Sequence, residues 1–167
     1  MIRSQALAVA VLIMIVLCTT TWLRTSIYEN ERTLWRDAMI KSPAKARTYN
    51  NLGDALKKNG ELKESQQLFE RAIELDPDYP DALNNLATIY CNIGRANEAL
   101  ELLHKALFLN PGHIPSKYNL AMQYYQMGLL DDAILEYRSI IMQFPLSEQA
   151  VFSEAMLQLI RKQRKAQ

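Results

Sequence analysis

The sequence predicts an all-α fold, a helical solenoid, and three observations carry that expectation. Pro43, Pro77, Pro111 and Pro145 recur every 34 residues. Gly60, Gly94 and Gly128 keep the same interval, as do Leu52, Leu86 and Leu120. Glycine is scarce, five in 167 residues, and β-branched runs are few outside the N-terminus, which suits helices. A fixed period of this length means stacked supersecondary units in place of one globular core.

Each period holds two helical patterns. Tyr49, Leu52, Gly53 and Leu56 share one face by their i, i+3, i+4, i+7 spacing. Asn59-Gly60 then breaks the chain. Leu68, Phe69, Ala72, Ile73 and Leu75 form a second stripe. Pro77 ends it, because proline lacks the backbone donor and clashes with the preceding turn. The plan repeats with Leu83, Leu86, Ala87 and Tyr90, then Gly94, then Ala99, Leu103 and Ala106. It repeats again with Leu120, Ala121 and Tyr124, then Gly128, then Ala133, Tyr137 and Ile140. Small residues (Gly53, Ala87, Ala121) face large ones (Phe69, Leu103, Tyr137), the alternation that close helix pairs need.

This pattern resembles the tetratricopeptide repeat (TPR) family. Three full repeats fit, at 46–79, 80–113 and 114–147. Ser65 in place of a usual alanine, Lys117 at a usually bulky site and Ile140 at a usually small one are departures. Trp35, Ala38 and Pro43 lie one period before Phe69, Ala72 and Pro77, so a juxtamembrane half repeat is expected within 25–45. Ser147 is placed to cap a last helix in 148–167 with the stripe Val151, Phe152, Ala155, Met156, Leu159 and Ile160. The resemblance implies that this capping helix closes the stack with a polar outer face.

Residues 1–24 are a separate object. Ser4 to Leu23 carries no charge, and Ala6 to Cys18 is continuously apolar. Twenty residues at ~1.5 Å each span roughly the hydrocarbon core of a bilayer. Arg3 and Arg24 bracket the run and Trp22 sits at interfacial depth. The expectation is one transmembrane helix through residues 4–23, contacting the lipid bilayer. A cleaved secretory signal and a lipidated Cys18 are the alternatives; no small-x-small site follows, and Ile15-Val16-Leu17 is a poor lipobox. Arg24, Arg32, Arg36 and Lys41 favour a cytoplasmic C-terminal part, whereas the short N-terminal tail favours its export.

The stretch ENERTLWRDAMIKSPAKARTYNNLG also resembles the junction of polytopic membrane proteins in which a glycosyltransferase-like part precedes extracytoplasmic TPRs. That resemblance implies an exported C-terminal part, in periplasm or lumen, and a possible accessory role beside such an enzyme. No catalytic portion of that kind lies in this chain.

Composition excludes several classes. A net charge of +1 with 22% charged residues gives no basic excess for nucleic acid. Cys18 and Cys91 form no disulfide framework or metal spacing. His104 and His113 are the only histidines and stand in no ligand cluster. His104 reads as a surface residue, and Asp131 and Asp132 as acids at a helix start. No glycine-rich phosphate loop is present. The expectation is a chain without catalysis, cofactor, metal or small-molecule substrate. The basic tail Arg161, Lys162, Arg164 and Lys165 reads as cations completing a helix C-terminus.

The family resemblance implies a concave groove lined by the first helix of each repeat, for a protein or peptide partner. By phase the groove residues are Arg47, Asn50, Asn51, Asp54 and Lys57, then Asp81, Asn84, Asn85, Thr88 and Cys91, then Tyr118, Asn119, Met122 and Tyr125. Asn51, Asn85 and Asn119 fall in one line, similar to the asparagine ladder of the O-linked N-acetylglucosamine transferase family; a carboxamide both donates and accepts. The carboxylate clamp of chaperone-binding TPRs maps to Asn50, Asp54, Asn85, Pro115 and Asn119. Only Asn85 fits that clamp, and Asp54 would repel a carboxylate.

Overall fold

The computed structural model describes residues 31–166 together with Met14. Among the described residues the chain forms eight α-helices and no strand. They are α1 (Glu31–Lys41), α2 (Ala46–Lys58), α3 (Leu62–Leu75), α4 (Pro80–Asn92), α5 (Ala96–Leu109), α6 (Ile114–Gln126), α7 (Leu130–Gln143) and α8 (Glu148–Ala166). The expected membrane span, residues 4–23, lies outside the described residues. Among those described, no helix is long and apolar enough to cross a membrane.

The periodic glycines make the turns inside the helix pairs. Gly60, Gly94 and Gly128 adopt φ of 81°, 79° and 78°, the left-handed region that costs other residues steric strain. After α2, the amide of Glu61 donates to Leu56 O at 3.0 Å and that of Gly60 to Lys57 O at 3.0 Å. The same two bonds close α4 and α6. This double closure satisfies the last carbonyls of a helix and reverses the chain within three residues. The periodic prolines make the turns between pairs. Asp76 and Asn110, each before a proline, are extended, with ψ of 91° and 92°. The proline ring forbids the helical conformation to the residue before it.

The stack follows from packing. Phe69, Leu103 and Tyr137 on α3, α5 and α7 are fully buried, as are Ala72, Ala106 and Ile140 one turn later. Gly53 on α2 is small because Phe69 fills its space: a Cβ there would lie 2.7 Å from the ring. Each helix packs on its neighbours in sequence. In addition α2 packs on α4, α4 on α6, and α6 on α8, whereas no two of α3, α5 and α7 make a comparable contact. The even-numbered helices are therefore closer together, and the stack curves with them on its inner, concave side.

The two ends differ. α1 buries no residue completely, since Trp35 and Ala38 are only half-buried where Phe69 and Ala72 are enclosed. It is strapped to the next pair by Arg32–Glu61 at 2.7 Å, Lys58–Glu31 at 3.0 Å and Arg36–Glu64 at 3.4 Å. At the other end Ser147 caps α8, its Oγ accepting from the Ala150 amide at 3.1 Å. The expected apolar stripe of α8 needs correction. Ala150, Ser153 and Ile160 are buried, while Val151, Phe152, Ala155 and Leu159 are exposed. The helix packs on one side only, so its inward face is narrow.

Candidate functional site

The first half of the concave face holds an open cavity of about 1020 Å³. Arg47, Asn50, Asn51 and Asp54 of α2 and Asp81, Asn84 and Asn85 of α4 line it, all expected from phase. Lys45, Asp76 and Tyr79 line it as well, from the loops between helix pairs, which the phase argument did not cover; Pro115, mapped above as a clamp position, lines it from the start of α6.

The carboxamides are tied to one another. Asn85 Nδ2 donates to Asn50 Oδ1 at 3.0 Å, and Asn119 Nδ2 donates to Asn84 Oδ1 at 2.9 Å. Asn85 and Asn119 thus each bond to the asparagine one place earlier in the preceding pair. Asn50 and Asn84 are buried. Asn85 Oδ1 also accepts from Lys57 Nζ at 2.8 Å, so both its ends are engaged. Asn51 differs: its Oδ1 accepts from the adjacent Asn50 of its own helix at 3.2 Å, and the residue lines the cavity. The line of asparagines therefore stitches α2, α4 and α6 together as well as lining the groove.

The Asp54 carboxylate in the cavity wall is paired within its own helix. Asp54 is held by Lys57 at 2.9 Å and Lys58 at 3.2 Å. Burial pushes the Asp54 carboxyl up, but the bonds and charges of these lysines outweigh it and leave its pKa below the ordinary value. Burial, with the charge of Asp81, pushes the Tyr79 hydroxyl up, so it stays a neutral donor.

Sequence reasoning missed one cluster. His113, at the N-cap of α6, sets its Nε2 3.0 Å from Asp81 Oδ1 and its Nδ1 2.7 Å from Ser116 Oγ. Ser116 lies 3.3 Å from Asn84 Oδ1. The histidine and serine stand three apart at a helix start, a spacing typical of capping pairs, and that was the available signal. The residue types are those of a hydrolase triad, but Ser116 is fully buried, so its oxygen has no approach for a substrate. The cluster joins α4 to α6. His104 is exposed, its Nε2 3.2 Å from the Tyr124 hydroxyl. Cys91 is half-buried and burial pushes its thiol up, away from the reactive thiolate.

Tyr118, Met122 and Tyr125 lie beyond the cavity, Tyr118 and Tyr125 against α8. The Tyr118 ring is 6.1 Å from that of Tyr137 and 6.4 Å from that of Phe152. Tyr137 turns its hydroxyl to Met122 Sδ at 3.8 Å. Gln163 Nε2 donates to the Tyr125 hydroxyl at 2.8 Å. The concave face thus changes from polar and carboxamide-lined to aromatic.

Tetratricopeptide-repeat profiles match residues 46–79, 68–101 and 93–159. Residues 46–159 are tetratricopeptide repeats. A search of curated proteins gives no significant match. Among solved structures the fold is similar to the first TPR of Spaghetti (RPAP3) bound to the HSP90 peptide SRMEEVD. That likeness has a TM-score of 0.65 at 20% identity, over 74% of this chain and 94% of that one. The Arabidopsis OM64 TPR domain is similar with a TM-score of 0.64 at 15% identity, over 71% and 95%. MamA is similar with a TM-score of 0.56 at 24% identity, over 73% of this chain and 66% of that one. These likenesses show the TPR fold.

Proposed function

We propose that this TPR chain is a non-catalytic interaction module that holds a peptide segment of a partner protein in its concave groove. The observation that carries the reading is the 1020 Å³ cavity, open to solvent and walled by carboxamides of α2 and α4. Helical solenoids present such surfaces to partners, and carboxamides bond a peptide backbone without demanding one sequence. The peptide bound by the Spaghetti domain supports the class of ligand, though not its chemistry. Asp54 stands in the cavity wall at a clamp position, so a C-terminal carboxylate is not the expected ligand.

In this reading the apolar run 4–23 tethers the module to a membrane, with the repeats on the extracytoplasmic side. A second reading, a constitutive subunit of a larger membrane complex, draws on a different surface. Phe108, Met142 and Leu146 are highly exposed on α5, α7 and the following loop, away from the groove. Exposed large apolar groups mark an interaction surface where they join into one patch. Photocrosslinking from single positions of the full chain separates the two. Adducts from Asn51 and Thr88 are expected for the groove module. Adducts confined to positions 108 and 142 would sink it in favour of the subunit.

A further inference from the structure

We infer that His113 makes the charge of the groove depend on pH: a basic side chain of the bound peptide is held at Asp81 while His113 is neutral and is released when His113 gains a proton. This rests on the groove reading above and adds its regulation. Three carboxylates line the cavity, those of Asp54, Asp76 and Asp81. Asp54 is paired with two lysines, Lys57 and Lys58. Asp76 Oδ1 accepts from the Asp78 backbone amide at 3.2 Å. Asp81 bonds instead to an imidazole, His113 Nε2 at 3.0 Å. Lysine and backbone amide keep their charge between pH 5 and 8, whereas histidine is the side chain that changes it there. The Asp81 side chain is 57% exposed and that of His113 only 10%. The carboxylate is therefore open to a ligand, and the imidazole behind it is not.

The cluster holds either charge state without moving a heavy atom. A carboxylate only accepts, so Nε2 carries a proton in both states. In the neutral ring Nδ1 is an acceptor and takes the hydroxyl proton of Ser116, 2.7 Å away. In the charged ring Nδ1 donates to the Ser116 oxygen, and the hydroxyl proton turns to Asn84 Oδ1 at 3.3 Å. Ser116 is fully buried, so these two acceptors share its one proton. Asp81 and His113 together carry one negative charge in the first state and none in the second. The charged and titratable groups on the surrounding elements do not follow this change. Lys117 of α6 turns to Ser139 and Gln143 on α7, at 3.3 and 2.7 Å. Lys105 of α5 faces Asp78 at 3.9 Å. The Tyr79 hydroxyl, within the fields of Asp81, Arg47 and Asp76, is pushed up by burial and stays neutral. The loop between α7 and α8 brings the Phe144 ring beside Gly112.

The test is selection, at pH 8, of a random 12-residue peptide display library without His or Cys on the full chain in nanodiscs of neutral lipid. Enriched peptides are expected to share a Lys or Arg position. Their affinity should fall about threefold between pH 8 and pH 5.5, the scale of one exposed ion pair. His113→Gln can still donate to Asp81 and accept from Ser116 but does not titrate, so it should abolish the pH dependence. Asp81→Asn, a change at a largely exposed side chain, should weaken binding at pH 8 and abolish the pH dependence as well. Three results would overturn the inference. If the enriched peptides lose affinity with Asn51→Ala but bind equally at pH 8 and pH 5.5, the groove reading stands and the pH control is wrong. A pH dependence that persists in His113→Gln assigns the proton to another group, with the same consequence. If nothing is enriched, the groove reading fails and the pH control with it.

Discussion

Gln123 is buried on α6, and its Oε1 has no hydrogen-bond partner. One period earlier the same place is held by Ile89, fully enclosed, and one period later by Leu157. A buried acceptor without a donor costs roughly 1–3 kcal/mol. Gln123→Leu is therefore expected to raise Tm by several degrees in a thermal melt; a lower Tm would mean that the amide makes a contact this account lacks. Gly53→Ala should act in the opposite direction. The added Cβ meets the Phe69 ring at 2.7 Å, and overpacking of this kind costs about 1–3 kcal/mol, more than the gain in helix propensity. Paired with Phe69→Leu, the size found at Leu103 opposite Ala87, the loss should shrink.

Tyr137 gives a prediction for alkaline pH. Burial, then the nearby Tyr118 and Tyr125, hold its hydroxyl far above the ordinary tyrosine value. The folded state thus keeps this proton longer than the unfolded state does. The resulting stability is complete below about pH 10 and is lost as pH rises beyond it. Tyr137→Phe removes that loss, and at neutral pH gives up only a weak bond to Met122 sulfur. Melts at pH 8 and pH 11 should show the variant losing less Tm than the parent between the two.

Among the elements, α1 and α8 behave unlike the six helices between them. α1 has no fully buried residue; beside its packing on α2 it makes ion pairs with α2, α3 and their connecting turn. Exposed pairs of this kind are weak and screened by salt. Hydrogen exchange in 1 M salt should accelerate in Glu31–Lys41 while α2 to α7 keep their protection. Unchanged protection in α1 would show that apolar contact, not charge, holds it.

The helix pairs were legible in the sequence because each turn depends on a residue that little else can replace. Gly60, Gly94 and Gly128 supply the left-handed turn, and Pro77 and Pro111 enforce the extended residue before them. The face of α8 was not legible. Its stripe of Val151, Phe152, Ala155 and Leu159 has good helical spacing, but spacing does not tell a face turned to a neighbour from one turned to solvent. The same limit applies to the carboxamides. Asn51, Asn85 and Asn119 are visible as a line in the chain. The bonds of Asn85 to Asn50 and of Asn119 to Asn84 join residues 35 apart and appear only once α2, α4 and α6 lie side by side.

At the scale of the molecule, a stack stabilised by neighbour contacts couples the groove to the fold. Asn85 ties α4 to α2 through Asn50 and Lys57, so Asn85→Ala should lower Tm more than Asn51→Ala does. The proposed tether gives a separate expectation, tested by protease digestion of sealed vesicles. Repeats on the extracytoplasmic side should resist protease added from the cytoplasmic face, and their digestion would reverse the orientation.

The central claim is that the concave face holds the partner. Hydrogen exchange of the full chain, with and without a peptide selected on it from a random display library, tests this most directly. The account predicts new protection in α2, α4 and α6, with α3, α5 and α7 unchanged. Protection confined to α3, α5 and α7 would contradict it and move the binding surface to the convex side.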